Sequence, residues 1–273
     1  MGRGRSAGCY TKCHEGLQKG LREGCLKRYI SDRGYEQLMQ QRALLAALSE
    51  DLALPLVQIK TSLELLQDAS FAKKTIKDQA ANMGLSTQAG LQLIDAYRLA
   101  LQAQDEQSLP LMPVSVAGIL QDIAHDLTPY AKQYDTDLRV DVVGRLTPVL
   151  AHKPSLIAAL QVLSSSMIRA QAAQSKQKRY SLLLGAHRAQ DNGIAAGVFS
   201  NVEGLSDRTL RTARSLAGRA RQPLPAMPVG SASGILVADM LCAAMWQPLR
   251  SAAHRNLHGL AMVVPVSKQL QFV

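Results

Sequence analysis

A chain of 273 residues that is 47% hydrophobic and 19% charged has the composition of a folded globular protein, which excludes wholesale disorder. No apolar run reaches the roughly 18 residues of a membrane-spanning helix, and the basic N-terminus lacks the apolar core of a secretory signal, so we expect a cytoplasmic protein. The net charge of +10 is concentrated in residues 151–273, which favours a solvated basic surface and leaves an anionic partner as the alternative.

Residues 1–34 form a basic, glycine-containing extension that we predict to be at most weakly helical. Cys9, Cys13 and Cys25 lie in this extension. Their spacing allows a zinc or redox site, but it matches no established zinc pattern, and separate reduced thiols are the simpler interpretation. The remaining Cys242 stands in an apolar stretch and is predicted to be a buried small hydrophobe.

Residues 35–107 are predicted to form a helical dimerisation hairpin. Apolar residues recur at steps of three, four and seven over 38–66, which indicates one long helix with a kink at Pro55. A second periodic segment covers 71–104, and its short connection to the first predicts an antiparallel pair. Because two helices cannot bury this much apolar surface alone, we expect a homodimer through a four-helix bundle.

A proline-marked linker at 108–113 precedes a third region, 114–273, in which helices and strands alternate. The sequence predicts helices over 114–134, 153–174 and 230–246, and strands over 137–143, 180–187, 194–201 and 260–266. The segment 191–193 has the composition of a hairpin turn between two of these strands. The chain is therefore predicted to be α+β, with an α/β sandwich after the helical hairpin.

The long helix carries a motif that resembles the H-box of sensor histidine kinases. In residues 48–56, Asp51 matches the acidic neighbour of that motif and Pro55 matches its proline, whereas Glu50 stands where the phosphorylatable histidine belongs. A carboxylate has no nucleophilic ring nitrogen, so Glu50 cannot accept phosphate as a histidine does. The resemblance continues from about residue 35 to the end of the chain, and it implies a dimerisation hairpin followed by a GHKL-type ATP-binding domain.

Two further segments resemble nucleotide-binding motifs of the same family. Residues 156–168 resemble the N-box helix, whose two asparagines serve magnesium and phosphate, but Val162 and Ser166 stand at those positions. Valine offers no oxygen to a hard cation, and serine retains at most a weak contact. Residues 230–237 resemble the glycine-rich box that opens a helix under the phosphates, with Ala232 in place of one glycine.

Residues 198–205 resemble the adenine box of the family, an Asp-x-Gly-x-Gly motif. Ser200 replaces its aspartate and Val202 replaces a glycine, while Gly204 matches. A serine is shorter than an aspartate and uncharged, so adenine selectivity should be weakened. The resemblance thus implies a degenerate nucleotide pocket formed by Ser166, Ser200, Asn201, Gly204, Gly230 and Gly234.

Five arginines occupy the place of the family's mobile lid over ATP, between the adenine box and the glycine-rich box. They are Arg208, Arg211, Arg214, Arg219 and Arg221, and no acid lies between them. Three-residue steps place the first three along one side of a helix. A solvated basic face is the default interpretation, and an anionic partner such as nucleotide phosphate, an acidic protein or nucleic acid is the alternative.

For three histidines, an ordinary structural position is a simpler interpretation than a phosphoacceptor or metal-binding role. His125 is predicted to be a partly exposed residue of a helix that the resemblance places outside the phosphoacceptor site. His254 and His258 are four residues apart, as two metal ligands on one helix face would be. The intervening asparagine and the glycine that follows indicate a turn instead.

The resemblance implies a histidine-kinase-like pseudokinase, a non-catalytic dimeric signalling scaffold or phosphorelay partner in a two-component-type pathway. A response regulator or a kinase is then the expected partner, and no cofactor is expected unless the pocket still binds ATP and magnesium. One alternative is a divergent active histidine kinase or ATPase. Another is an adaptor that binds an anionic partner through the basic C-terminal half, although the absence of aromatics among the arginines makes nucleic acid less favoured.

Overall fold

The structure is a computed structural model. It describes residues 41, 45, 48, 49, 51–66, 73–105, 109–172, 180–189, 192–201, 207–216 and 231–267. The chain separates into two compact units, residues 1–42 and 43–273, and the elements below belong to the second. Several residues singled out above lie outside the described residues: Cys9, Cys13, Cys25, Glu50, Val202, Gly204, Arg219, Arg221 and Gly230.

Two helices form the predicted hairpin. Helix α1 spans 51–66 and continues through Pro55, and helix α2 spans Lys73–Asp105. Asp51 at the start of α1 contacts Tyr97 late in α2, whereas Gln58 contacts Ser86 further toward the start of α2. The two helices therefore run antiparallel, as the periodicity predicted.

A five-stranded mixed sheet forms one layer of the sandwich, and its strand order is β2-β4-β5-β7-β6. Its strands are β2 (Thr136–Val142), β4 (Tyr180–Arg188), β5 (Gly193–Ser200), β6 (Arg250–His254) and β7 (Leu257–Pro265). Strands β2 and β4 are parallel, and the other neighbours are antiparallel. The parallel pair is possible because a long helical connection separates the two strands along the chain.

Four helices accompany the sheet: α3 (Val116–Gln133), α4 (Lys153–Ala172), α5 (Asp207–Leu216) and α6 (Ser231–Ala244). Ser115 caps α3, since its Oγ accepts a hydrogen bond from the backbone N–H of Gly118. Alternate residues of β4, Leu182, Leu184 and Ala186, are fully buried on the face of the sheet against which the helices pack. This core is almost entirely aliphatic, in keeping with an aromatic content of only 4%.

The α+β architecture predicted from the sequence is confirmed, with two local differences. The predicted strand at 260–266 is the longer arm of a hairpin, because the preceding β6 pairs with β7. Segment 250–254 escaped prediction since its small and polar residues show little alternation. A short strand β1 (Met112–Val114) lies at the end of the predicted linker and pairs with β3 (Val149–Ala151).

Candidate functional site

The N-box-like segment lies within α4, and residues 231–237 of the glycine-rich segment form the first half of α6. These two helices pack directly against each other. A Cβ at Gly234 would lie 1.8 Å from the Oγ of Ser166 and 3.3 Å from the carbonyl oxygen of Val162. Both residues of α4 are buried. The structure therefore brings together two of the predicted pocket residues, Ser166 and Gly234, so closely that no ligand atom fits between them.

The other described pocket residues lie at the end of β5. Ser200 is buried, and its Oγ donates a hydrogen bond to the carbonyl oxygen of Ser181 in β4 at 3.1 Å. Asn201 follows the strand and is exposed. The Ser200 hydroxyl is thus bonded to the backbone of the neighbouring strand.

A buried carboxylate joins the hairpin to the sandwich. The Oδ1 of Asp51 accepts a hydrogen bond from Ser233 Oγ at 2.8 Å, and its Oδ2 accepts one from the Tyr97 hydroxyl at 3.0 Å. The Nη2 of Arg169 lies 3.7 Å from Asp51 Oδ1 and donates to Ser166 Oγ at 3.3 Å. The Asp51 and Arg169 side chains are only 2% and 5% exposed. Helices α1, α2, α4 and α6 therefore meet at this carboxylate.

The surroundings of this network fix its protonation. Burial raises the pKa of the Tyr97 phenol, and the adjacent Asp51 carboxylate raises it further, so Tyr97 remains a neutral donor. Burial also raises the pKa of Tyr130. For Arg169, burial opposes the charge, but Tyr130 and Asp51 outweigh it and raise the pKa of the guanidinium. Arg169 therefore supplies a permanent positive charge beside Asp51.

The arginines of α5 have two different roles. Arg214 binds Asp239 through two hydrogen bonds, Nε to Oδ2 at 2.7 Å and Nη2 to Oδ1 at 2.8 Å, and it also donates to the carbonyl of Leu249 at 2.9 Å. The hydrogen bond to Asp239 raises the pKa of Arg214. Arg208 and Arg211 are exposed. Arg214 thus fixes α5 to the sandwich, while Arg208 and Arg211 face solvent.

The single-residue expectations are met where the structure describes them. His125 is exposed on α3, Cys242 is fully buried, and burial raises the pKa of the Cys242 thiol. His254 and His258 belong to opposite arms of the β6–β7 hairpin, and a turn separates them. No local pattern predicts the actual surroundings of His254, which is buried against Asp141, a residue 113 positions earlier in the chain.

Among the described residues, the two larger cavities at α4 lie where this helix meets its neighbours. One of about 430 Å³ lies between α2 and α4, and one of about 410 Å³ lies between α3 and α4. Lys153, Ile157 and Gln161 line both cavities, and neither is lined by a residue of the predicted nucleotide pocket. Among the described residues, no group of three or more His, Cys, Asp or Glu side chains is arranged to hold a metal ion. No helix in the described ranges is long and apolar enough to cross a membrane.

No protein-family model and no curated protein matches this chain. Among solved structures, full-length ShkA in complex with AMPPNP is 15% identical at a TM-score of 0.46, with 88% of this chain and 46% of that chain covered. The Acinetobacter baumannii histidine kinase AdeS is 11% identical at a TM-score of 0.48, over 80% of this chain and 98% of that one. A bacterial phosphotransferase is 14% identical at a TM-score of 0.47, and the match covers 82% of this chain and 96% of that one.

The chain thus spans about half the length of ShkA and nearly all of the two other structures. The cytoplasmic segment of histidine kinase QseC and the catalytic domain of histidine kinase ThkA are further matches, at TM-scores of 0.42. The solved structures to which the chain is similar are thus histidine kinases, or catalytic and cytoplasmic segments of them, and a phosphotransferase. Identities of 8–15% describe a similarity of fold alone.

Proposed function

We propose that this chain is a histidine-kinase-like pseudokinase, a non-catalytic dimeric scaffold or phosphorelay partner in a two-component-type pathway. The observation that carries the proposal is the buried Asp51–Arg169 pair at the junction of α1, α4 and α6. A nucleotide held between α4 and α6 would need space that these side chains and the Ser166–Gly234 contact fill. The pair also fixes the hairpin against the sandwich, as suits a rigid scaffold.

The substitutions in the motifs support the same function. Val162 is buried and provides no oxygen for magnesium. The hydroxyl of Ser200 is bonded to the Ser181 carbonyl and cannot replace a carboxylate. Glu50 stands at the phosphoacceptor position of the motif and has no nitrogen to phosphorylate. These are three separate steps of kinase chemistry, namely metal binding, base recognition and phosphoryl acceptance.

The hairpin provides the surface for a second copy of the chain. Apolar residues of α1 and the helical residues before it follow steps of seven, four, three and four: Leu45, Leu52, Leu56, Ile59 and Leu63. Three of them are strongly exposed, Leu45 by 55%, Leu56 by 61% and Leu63 by 45%. On α2, Leu91 and Ile94 are exposed by 58% and 43%. This spacing is typical of helices that pack side by side in a bundle, so a homodimer through α1 and α2 is part of the proposal.

Isothermal titration of the full chain with ATP and magnesium tests the proposal. The loss of two charged or metal-bridged contacts, at about 1.5–3 kcal/mol each, should weaken ATP binding by roughly two to four orders of magnitude relative to an intact pocket. We therefore expect no binding in the micromolar range. Titrations with magnesium alone and with ATP alone are the controls. Micromolar, magnesium-dependent binding would refute the pseudokinase and support a divergent kinase or ATPase.

A further inference from the structure

The two edge strands of the five-stranded sheet are joined by side chains across one face of the sheet. Strands β2 and β6 are separated by three others, which corresponds to about 19 Å in a flat sheet. Nevertheless, the Nε2 of His254 at the end of β6 lies 2.8 Å from Oδ2 of Asp141 in β2. Arg255, in the turn that follows, binds the same carboxylate, Nε to Oδ2 at 2.6 Å and Nη2 to Oδ1 at 2.8 Å. The tip of the β6–β7 hairpin therefore lies over one face of the sheet.

Glycines make this approach possible. A Cβ at Gly185 of β4 would lie 3.0 Å from the His254 ring and 2.8 Å from the Phe199 ring. A Cβ at Gly259 of β7 would lie 2.5 Å from the Phe199 ring. The rings of His254 and Phe199 are 5.1 Å apart, and both side chains are buried. The two rings thus rest directly on the backbone of the sheet, on the face opposite to Leu182 and the helices.

A second histidine completes the cluster. The Nδ1 of His187 in β4 lies 2.9 Å from the Nδ1 of His254. We name Asp141, His187, His254 and Arg255 the edge clasp. Because His254 donates from Nε2 to Asp141, its Nδ1 and that of His187 share one proton between them. Two neutral rings satisfy this arrangement, and so do one neutral and one charged ring. Two charged rings do not, because their N–H groups would face each other.

The charged groups around the edge clasp favour one shared proton. Burial lowers the pKa of His187, and its neighbour His254 lowers it further. Burial of Asp141 acts to raise its pKa, but the hydrogen bond from His254 and the charge of Arg255 outweigh burial and lower it. Asp141 therefore stays ionised in mild acid. The other charged groups along this face, Asp137, Arg139 and Arg250, are exposed, and β5 and β7 contribute Phe199 and Gly259.

We propose that the edge clasp is a pH-sensitive contact between the two edge strands. In mild acid both imidazoles become charged, which separates His187 from His254 and releases the hairpin tip from Phe199. Because protonation of His187 is disfavoured in the closed state, the unfolded or opened state binds more protons below the ordinary histidine pKa of about 6.5. The stabilisation by the clasp is therefore complete above that pH and is lost as the pH falls below it. This pH dependence of the edge clasp is independent of the proposed scaffold function.

Hydrogen exchange of the full chain at pH 7.5 and pH 5.5, corrected for intrinsic exchange rates, tests this proposal. Peptides from 250–265 should lose at least about tenfold in protection at the lower pH, while peptides from α3 should not change. The matched variant is His187→Asn, whose side-chain amide can donate to His254 Nδ1 but cannot titrate. In this variant, protection of 250–265 should be the same at both pH values.

A histidine-resolved NMR titration gives an independent readout. We expect proton uptake by His187 to coincide with the shift of the hairpin resonances. The proposal is wrong if protection of 250–265 is unchanged by pH in the unmodified chain. It is equally wrong if His187→Asn loses as much protection in acid as the unmodified chain does, or if His187 takes up its proton without any shift of the hairpin resonances.

Discussion

At the scale of single residues, the most consequential side chain is Asp51. By resemblance, the motif places Asp51 beside a phosphoacceptor position. In the structure, however, its carboxylate belongs to a buried network of hydrogen bonds. It accepts hydrogen bonds from Ser233 and Tyr97 and lies beside Arg169, with all of these groups buried. A buried charge is tolerated only where partners of this kind surround it. Asp51 therefore acts as the link between the hairpin and the sandwich.

Replacing Asp51 by Asn should strongly destabilise the fold. The amide preserves the shape and can still bond Tyr97 and Ser233, but it leaves the Arg169 guanidinium buried without its counter-charge. Removing one partner of a buried ion pair costs about 3–5 kcal/mol, and we expect this loss in urea unfolding.

The matched control is Asp95→Asn, which breaks the Asp95–Arg98 pair on the surface of α2. Both side chains of that pair are exposed, by 71% and 69%, and their N–O separation is 3.3 Å. Exposed pairs contribute about 0–1 kcal/mol, so stability should hardly change. If Asp51→Asn lowers the free energy of unfolding as little as the control does, then Asp51 does not hold the hairpin to the sandwich.

The sequence identified residues where a local motif marked them and missed residues that only the fold brings together. Asp51 and Pro55 were found because they belong to one helical motif. Asp141 and His254 were not found, because strands at opposite edges of the sheet carry them and nothing local distinguishes either residue. The candidate pocket was located by motif alone, whereas its closure at Ser166 and Gly234 depends on the packing of two helices.

At the scale of elements, long periodic segments were predictable and short edge segments were not. Helices α3 and α4 lie within two residues of their predicted bounds, because their apolar periodicity dominates. The turn before β5 was also predicted, and Asn192 there has a φ of 55°, which asparagine tolerates well. Strand β6 was missed because a short edge strand is held by its partner β7 rather than by its own pattern.

The contact between α4 and α6 gives a prediction at this scale. Gly234→Ala would place a methyl group 1.8 Å from Ser166 Oγ and 2.4 Å from its Cβ. The two helices must then separate, and overpacking of this kind costs about 1–3 kcal/mol. Thermal unfolding should show a lower midpoint for this variant.

Gly84→Ala is the control, because it makes the same change in helix α2 where no atom lies within 4 Å of the added methyl. Alanine is the better helix former, so this variant should be stabilised by up to about 1 kcal/mol. If both variants are stabilised, the direct packing of α4 on α6 is wrong, and space for a ligand exists between them.

At the scale of the whole molecule, the distribution of apolar surface points to assembly. The sandwich buries most of its aliphatic residues, while the hairpin leaves leucines of both helices exposed. Lys60 and Glu64, paired at 3.6 Å in solvent, lie beside these leucines on α1. Exposed apolar stripes flanked by charges are typical of interaction surfaces. A second copy of the hairpin would cover the stripe with the same residue types.

The last prediction concerns this stripe. Changing Leu56 and Leu63 together to Asp should abolish the dimer without unfolding the chain, because both side chains are exposed, by 61% and 45%, and touch the core little. In a dimer, the same carboxylates would be buried without partners, which is strongly unfavourable. Light scattering should show a dimer for the unmodified chain and a monomer for the double variant, with unchanged circular dichroism. Lys60→Asp with Glu64→Asp, at the exposed ion pair of α1, should remain dimeric. A monodisperse monomer of the unmodified chain at tens of micromolar would exclude the bundle, and the scaffold would lose its assembly surface.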